Sequence, residues 1–584
     1  MVRRTAGLLV ASLVLALSAT PLTPSVRAVG ATTWIVAHHD EILDYADGST
    51  CADPDFWTDG NWSEPGSGDG AYDSDEDAIQ DAIDNAASGD TIYVCFGRYE
   101  FDTDLHNIDP GMDLTIVGDG IGDTVLDGTD STRLINANPV GEDDDGGTLT
   151  LQDLSMDDAR TESVFDNGGA VNADGLSLTR VSISGSDNAY NGGALYAEGN
   201  VTIADSTFTD NDTSEYGAVV YAWNPARTVS ISNSVIDGND SGKGGGAILA
   251  TTVTVTGSTF TDNNAVIDGG AIKATTVTVT GSTFTDNDAD DDGGAINATT
   301  VTVTGSTFTD NDADGSSGGG AILAYTATVT DSTFTNNTAD SYGGAISAYI
   351  TTATGSSFTD NTANSGGAIN TYTATVSNSS FTNNSSTIGG AIYATTATVS
   401  NSTFRGNTAD FHGGAIFSTT NTVTSSTFTS NSAVIGGAIF SNTNTVTSST
   451  FTSNTSVNAG GAIRADTATV SNSTFTSNTS VNDGGAISAS TGVVAGSRFT
   501  RNTSGTHGGA IYFGSPALTD LKLMRRNSFS RNTAAVGGAM TFGPCVTPSR
   551  SEAARVERAN RFSGNRATEQ RRTNNIERLE GGCT

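Results

Sequence analysis

Gly-Gly-Ala followed by an apolar residue occurs fifteen times between Gly168 and Met540, twelve times with Ile, and most intervals are 23 or 24 residues. Such a period means stacked supersecondary units, none able to bury its apolar face alone. Each copy is matched by Phe-x-x-Asn, as in Phe260 to Asn263, Phe284 to Asn287 and Phe475 to Asn478, with Ile236 to Asn239 a conservative departure. Between these landmarks the chain reads as strand. Thr275 to Thr280 runs Thr-Thr-Val-Thr-Val-Thr, the alternation of a half-buried strand. Gly-Ser or Asn-Ser breaks the run, Ser-Thr-Phe-Thr begins a second strand, and Ala-Ile-x-Ala carries a third. Three short strands and three turns per repeat describe one coil of a parallel β-solenoid. At ~4.8 Å per coil, about sixteen or more coils make a rod of roughly 80 Å.

The repeated residue types follow from stacking. Phe once per coil builds an internal aromatic column, with Ile and alternating Val beside it. Asn sits where the chain turns, so its amide bonds backbone groups there and in the next coil. Gly-Gly lets adjacent backbones approach closely. Ahead of the repeats, Ala78, Ile79, Ala82, Ile83 and Ala86 fall at helical spacing, with acidic residues before them and Gly89 as a stop. A short helix there covers the open end of the solenoid and protects its edge. The expected division is 1–28 export signal, 29–89 N-terminal segment and capping helix, 90–545 parallel β-helix, and 546–584 Arg-rich closing segment.

Residues 1–28 read as a signal peptide. Arg3 and Arg4 precede an apolar run from Ala6 to Ala19, and Val26-Arg27-Ala28 suits cleavage after Ala28. The run is too short to span a bilayer. The mature chain is therefore expected outside the cytoplasm, where Cys51, Cys95, Cys545 and Cys583 fit one bridge at each end, although four cysteines allow three pairings. No Cys-x-x-Cys pair supports a zinc or redox site.

The net charge is −39, from 65 acidic and 26 basic residues, but it is uneven. Residues 498–584 carry 14 basic and 6 acidic residues, a balance of +8, which leaves −47 for the rest. The acidic shaft repels nucleic acid and anionic membranes. The Arg-rich end suits an anionic surface, the acidic part of a neighbour, or simple solvation.

Two resemblances add to this. The stretch from Ile79-Gln80 through Gly89-Asp-Thr-Ile-Tyr-Val94 to Gly97-Arg-Tyr99 resembles the opening of pectin-lyase-like β-helix proteins. The Gly-Gly-Ala-Ile and Phe-x-x-Asn pair resembles the repeat of chlamydial polymorphic outer membrane proteins. Together they imply a right-handed, single-stranded parallel β-helix over roughly residues 75–565. They do not fix an activity. The chlamydial proteins are autotransporter adhesins with a C-terminal barrel, whereas only 39 residues follow Cys545 here, too few for such a barrel.

Pectin-lyase-like relatives include polysaccharide lyases and hydrolases, which need carboxylates facing one groove, or a base beside Ca2+-binding carboxylates. Against this, no basic residue lies between Lys273 and Arg405, and the hydrolases' Gly-His-Gly motif is absent. Asp157-Asp158 and Asp290-Asp-Asp292 are adjacent carboxylates in a chain rich in acidic turns. The irregular residues 100–240 are where a catalytic site is to be sought. Asp143-Asp-Asp145, Asp290 to Asp292 and His38-His39-Asp40-Glu41 are weak metal candidates, so no cofactor is assigned and a Ca2+ requirement has no support. The calcium-solenoid nonapeptide is missing.

On the surface, the residue after each Gly-Gly-Ala-Ile should face solvent. There Tyr393, Phe417 and Phe440 would stack as an aromatic ladder, with Tyr512 at the same offset further on, suited to polysaccharide or a cell-surface protein. Thr-x-Thr columns resemble those of ice-binding solenoids, although Thr is simply a good outward strand residue. The expected function is a non-catalytic, adhesin-like β-helix protein of the cell exterior. A polysaccharide lyase or hydrolase is the alternative, and ice binding comes third.

Overall fold

The computed structural model describes residues 31–37, 56–57, 75–137, 147–161, 167–514, 524–543, 550–569 and 575–579, apart from residues 107, 109–110, 189 and 225. One coil shows the whole design. A three-residue strand, Thr259–Thr261, points Phe260 inward and its threonines outward. A two-residue strand, Asn264–Ala265, follows the buried Asn263. The chain then turns at Gly269-Gly270 and enters a nine-residue strand, Ile272–Thr280. Every strand pairs in parallel with its counterparts in the coils before and after, Ile248 with Ile272 with Ile296 and Phe260 with Phe284 with Phe308. The short strands alone form a ladder of seventeen among the described residues. The molecule is a parallel β-helix.

One expectation needs correcting. Ala-Ile-x-Ala and the Thr-Val run are one strand with a bend, not two strands. Pairing is lost only at Thr275, where Thr275 and Thr276 both face outward. A single double-outward step turns the strand onto the next face without interrupting the ladder on either side. The third strand is the short one after Asn263, whose pairing hides behind a turn-like sequence.

The interior is built of columns. From Phe260 to Phe562 the phenyl rings stack at 4.7–5.1 Å between centroids, nearly parallel. Each such pair contributes about 0.5–1.5 kcal/mol beyond area burial. The Asn column is fully buried and fully used. Asn287 Nδ2 donates to Phe260 O at 3.1 Å and to Asn311 Oδ1 at 3.0 Å, and the Asn287 N–H donates to the same Oδ1 at 3.2 Å. The pattern repeats from Asn211 to Asn565. At the corner, Gly269 has φ +64°, and a Cβ on Gly270 would lie 2.1 Å from Gly294 O, so only glycine fits.

At the N-terminal end, helix Asp75–Asn85 buries Ala78, Ile79, Ala82 and Ile83 in the same core as Ile92, Tyr99 and Phe101. Buried Glu76 accepts the N–H groups of Asp102 and Thr103 at 3.2 and 3.1 Å. At the other end the ladder runs past residue 545. Strands Arg561–Ser563 and Ile576–Arg578 continue the columns, Phe562 against Phe529. Between residue 545 and these strands lies a helix, Arg550–Ala559, that puts Val556 into the core. Residues 1–28 lie outside the described residues, as do Cys51, Cys545 and Cys583. Cys95 is buried against Ala37, and no described cysteine is free.

Candidate binding surface

The nine-residue strands present two outward columns near their start. The first is the position after the buried Ile. Its register runs Asn370, Tyr393, Phe417, Phe440, Arg464, Ser488 and Tyr512. Tyr393, Phe417 and Phe440 do stack there, with centroids 5.0 and 5.3 Å apart and planes within 9°. They are half-buried rather than fully exposed. His412, from the preceding corner, tilts onto Phe440 at 4.8 Å, and burial holds its imidazole below the ordinary histidine range. Tyr512 does not join them, since Arg464 and Ser488 intervene. It packs instead near His507, at 5.8 Å, and His507 pairs with Asp483 at 2.8 Å.

The second column is at the bend, three residues after the Ile, and sequence reasoning passed over it. Tyr325, Tyr349 and Tyr372 stack at 5.0 and 4.8 Å with planes within 11°. They are 57%, 45% and 49% exposed, far more open than an ordinary strand residue. The signal was present, namely Tyr at one offset in three successive copies. The alternation rule placed only one outward residue before the bend, and the double-outward step supplies another. Because the rings of each ladder cover one another's faces, the surface offers ring edges and, from the tyrosines, phenol hydroxyls. Free ring faces remain only at the ladder ends.

The carboxylate candidates fare differently. Asp157 accepts Ser184 Oγ at 2.8 Å and pairs with Arg98, which also holds Asp127. The Asp158 carboxyl is raised by burial and by Asp130, Asp127 and Asp157. In the Asp290 to Asp292 turn, Asp291 and Asp292 bring carboxylate oxygens within 4.8 Å of each other and of Asp268. That group is already engaged. Lys273 Nζ lies 2.5 Å from Asp268, and Asp292 Oδ1 accepts the N–H groups of Ser317 and Gly318 at 2.8 and 2.9 Å. Asp143 to Asp145 and His38 to Glu41 lie outside the described residues. A further acidic column, Asp187, Asp212 and Asp240, lines a shallow groove of about 320 Å³. Burial, then Asp240, Asp187 and Asp210, push the Asp212 carboxyl up to about 6. The Thr column from Thr252 is interrupted by Ile350.

The Chlamydia polymorphic membrane protein repeat matches residues 331–349, 378–395, 401–419, 472–490 and 496–514. No curated protein matches this chain. Among solved structures, a PL6 family alginate lyase, AlyGC, is 10% identical over 87% of this chain and 98% of its own, with a TM-score of 0.27. The A-module of the Azotobacter vinelandii mannuronan C-5 epimerase AlgE4 is 11% identical over 87% and 96%, with a TM-score of 0.18. A mannuronic acid specific family 6 lyase from human gut microbiota is 10% identical over 84% and 89%, with a TM-score of 0.21. At those scores the structural likenesses carry no argument about this chain. The repeat match, in register with the coils described above, does: this chain is a parallel β-helix that carries Chlamydia polymorphic membrane protein repeats.

Proposed function

We propose that this protein is a non-catalytic, adhesin-like binding scaffold of the cell exterior, and that its contact surface is the pair of aromatic ladders on consecutive coils. The observation that supports this most is the open stack Tyr325, Tyr349 and Tyr372. Contiguous exposed aromatics mark interaction sites, and tyrosine anchors contacts at low entropic cost. Edge-on rings favour a protein surface, where hydroxyls and ring edges both find partners, over a sugar stacked on a ring face. Export through residues 1–28 and stabilisation by a disulfide at each end belong to the same reading. The test is binding of purified mature chain to intact cells and to immobilised polysaccharides. Replacing Tyr325, Tyr349, Tyr372, Phe417 and Phe440 by Ser should reduce cell binding at least tenfold without altering the far-UV spectrum. Undiminished binding by that variant would remove the ladders from the account.

The alternative is a polysaccharide-degrading enzyme, and one observation favours it. Asp212, with its carboxyl near neutrality, lies in the irregular early coils where perturbed acids mark catalytic sites elsewhere. Loss of polysaccharide cleavage in Asp212→Asn would establish it.

A further inference from the structure

The face formed by the Thr-Phe-Thr strands sorts its charges along the rod. Two residues after each core Phe the backbone enters the left-handed region, and the side chain there points to solvent. In the early coils this position is Asp210, Asp262, Asp286 and Asp310, with φ between 51° and 54°. In the middle it is Asn383, Gly406 and Ser430, and in the late coils it is Arg501 and Arg531, with φ 57° and 56°. Neighbouring positions on the same face follow suit, apart from Arg180, which pairs with Asp153, and Arg405 in the middle. Arg498, Arg526 and Arg561 are exposed in the late coils, whereas Asp205, Asp237 and Asp331 lie on the acidic side. Among the described residues, none of Arg498, Arg501, Arg526, Arg531 and Arg561 takes part in an ion pair. Three of them line a groove of about 700 Å³ with the hydroxyls of Thr474, Thr476, Thr500, Ser530 and Ser563. Among the described residues, Asp210, Asp262, Asp286 and Asp310 take part in no ion pair either. The Asp286 carboxyl is raised by burial and then by Asp310 and Asp262.

The spacing makes this face complementary to itself. Arg501 lies four rungs beyond Gly406, through Phe428, Phe451 and Phe475 to Phe499. Asp310 lies four rungs before Gly406, through Phe381, Phe358 and Phe334 to Phe308. Arg531 and Asp286 are each one rung further out. The Phe rings beneath this face repeat every 4.7–5.1 Å, so its rungs are evenly ruled. A two-fold axis at the rung of Gly406, where Arg405 is exposed and meets its own copy, lays a second copy antiparallel on the first. It sets Arg501 opposite the partner copy's Asp310 and Arg531 opposite its Asp286, and each contact occurs twice.

We propose that this protein forms an antiparallel, two-fold symmetric dimer through its Thr-Phe-Thr face, held by these arginine–aspartate pairs. The interface is isologous and therefore closes at two copies rather than growing into a fibre. Whole-chain repulsion at a net charge of −39 opposes association. Screening beyond ~8 Å at physiological salt leaves the facing columns to decide, and opposite signs meet only where the arginine end lies over the aspartate end. The aromatic ladders lie on a different face and stay available in the dimer.

The test is sedimentation and light scattering of the mature chain at physiological ionic strength and at 1 M salt. The expected result is a mass of twice the chain at the lower salt, falling toward the monomer at the higher. R501E with R531E should weaken dimerisation at least about tenfold, the scale of close interfacial charge pairs. Adding D286R and D310R to that variant should restore it, because the pairs re-form with signs exchanged. All four positions are exposed left-handed turns where the native chain already carries both acidic and basic side chains, Asp and Arg, so an unchanged far-UV spectrum is expected. A monomer at every concentration and salt, a dimer indifferent to R501E with R531E, or no restoration by the exchange would each overturn the proposal. So would an open series of larger species.

Discussion

Two buried asparagine columns behave in opposite ways, and the difference lies in where each column ends. Asn407 belongs to the long column. Its Oδ1 accepts the N–H and Nδ2 of Asn384 at 3.0 and 2.9 Å, and its Nδ2 donates to Phe381 O at 3.0 Å and Asn431 Oδ1 at 2.9 Å. Asn407→Ala leaves several buried groups unpaired at about 1–3 kcal/mol each. The expected loss is about 3–5 kcal/mol in denaturant titration, and a loss below about 1 kcal/mol would contradict the role given to the column. Asn421 and Asn444 form a column of two between Ala397 and Ala468. They share one bond of 3.3 Å, and Asn421 Oδ1 and Asn444 Nδ2 have no partner among the described residues. Elsewhere this interior position holds Val277 or Val301. Replacing both asparagines by Val should raise stability by about 1–3 kcal/mol, since two unpaired buried groups vanish without a void. A lower unfolding midpoint would show that the amides are satisfied by an internal guest.

At the scale of elements, the short strands carry a liability that stacking creates. Asp187, Asp212 and Asp240 open three successive two-residue strands in parallel register. The Asp212 carboxyl, pushed up to about 6, lies above its value in the unfolded chain. The native state therefore holds more protons than the unfolded state between those values, and stability falls as pH rises through that window. The melting temperature should be higher at pH 5 than at pH 7, and Asp212→Asn should raise it at pH 7 and shrink the difference. A higher melting temperature at pH 7 for the native chain would contradict this. The columns themselves were legible because a solenoid writes each one as a periodic residue: Phe every coil, Asn three later, Gly-Gly at the corner. What escaped was aperiodic or geometric. The bend at Thr275-Thr276 fuses two apparent strands and exposes Tyr325, Tyr349 and Tyr372, and alternation alone assigns one outward residue where there are two. Helix Arg550–Ala559 replaces part of a coil with no repeat to announce it.

For the whole molecule, regularity is the argument about function. Residues 251–263, 275–287 and 299–311 are the same thirteen residues, and their coils superpose column on column. Such a rod repeats its surface, which suits extended contact better than a single reacting constellation. The most direct measurement of that claim is incubation of the mature chain with a panel of acidic and neutral polysaccharides, with and without Ca2+, followed by assay of new chain ends. A non-catalytic binding scaffold predicts no new reducing ends and no unsaturated products at any pH from 5 to 8. Cleavage of any one polymer, abolished in Asp212→Asn, would contradict it and move the functional centre to the early acidic coils.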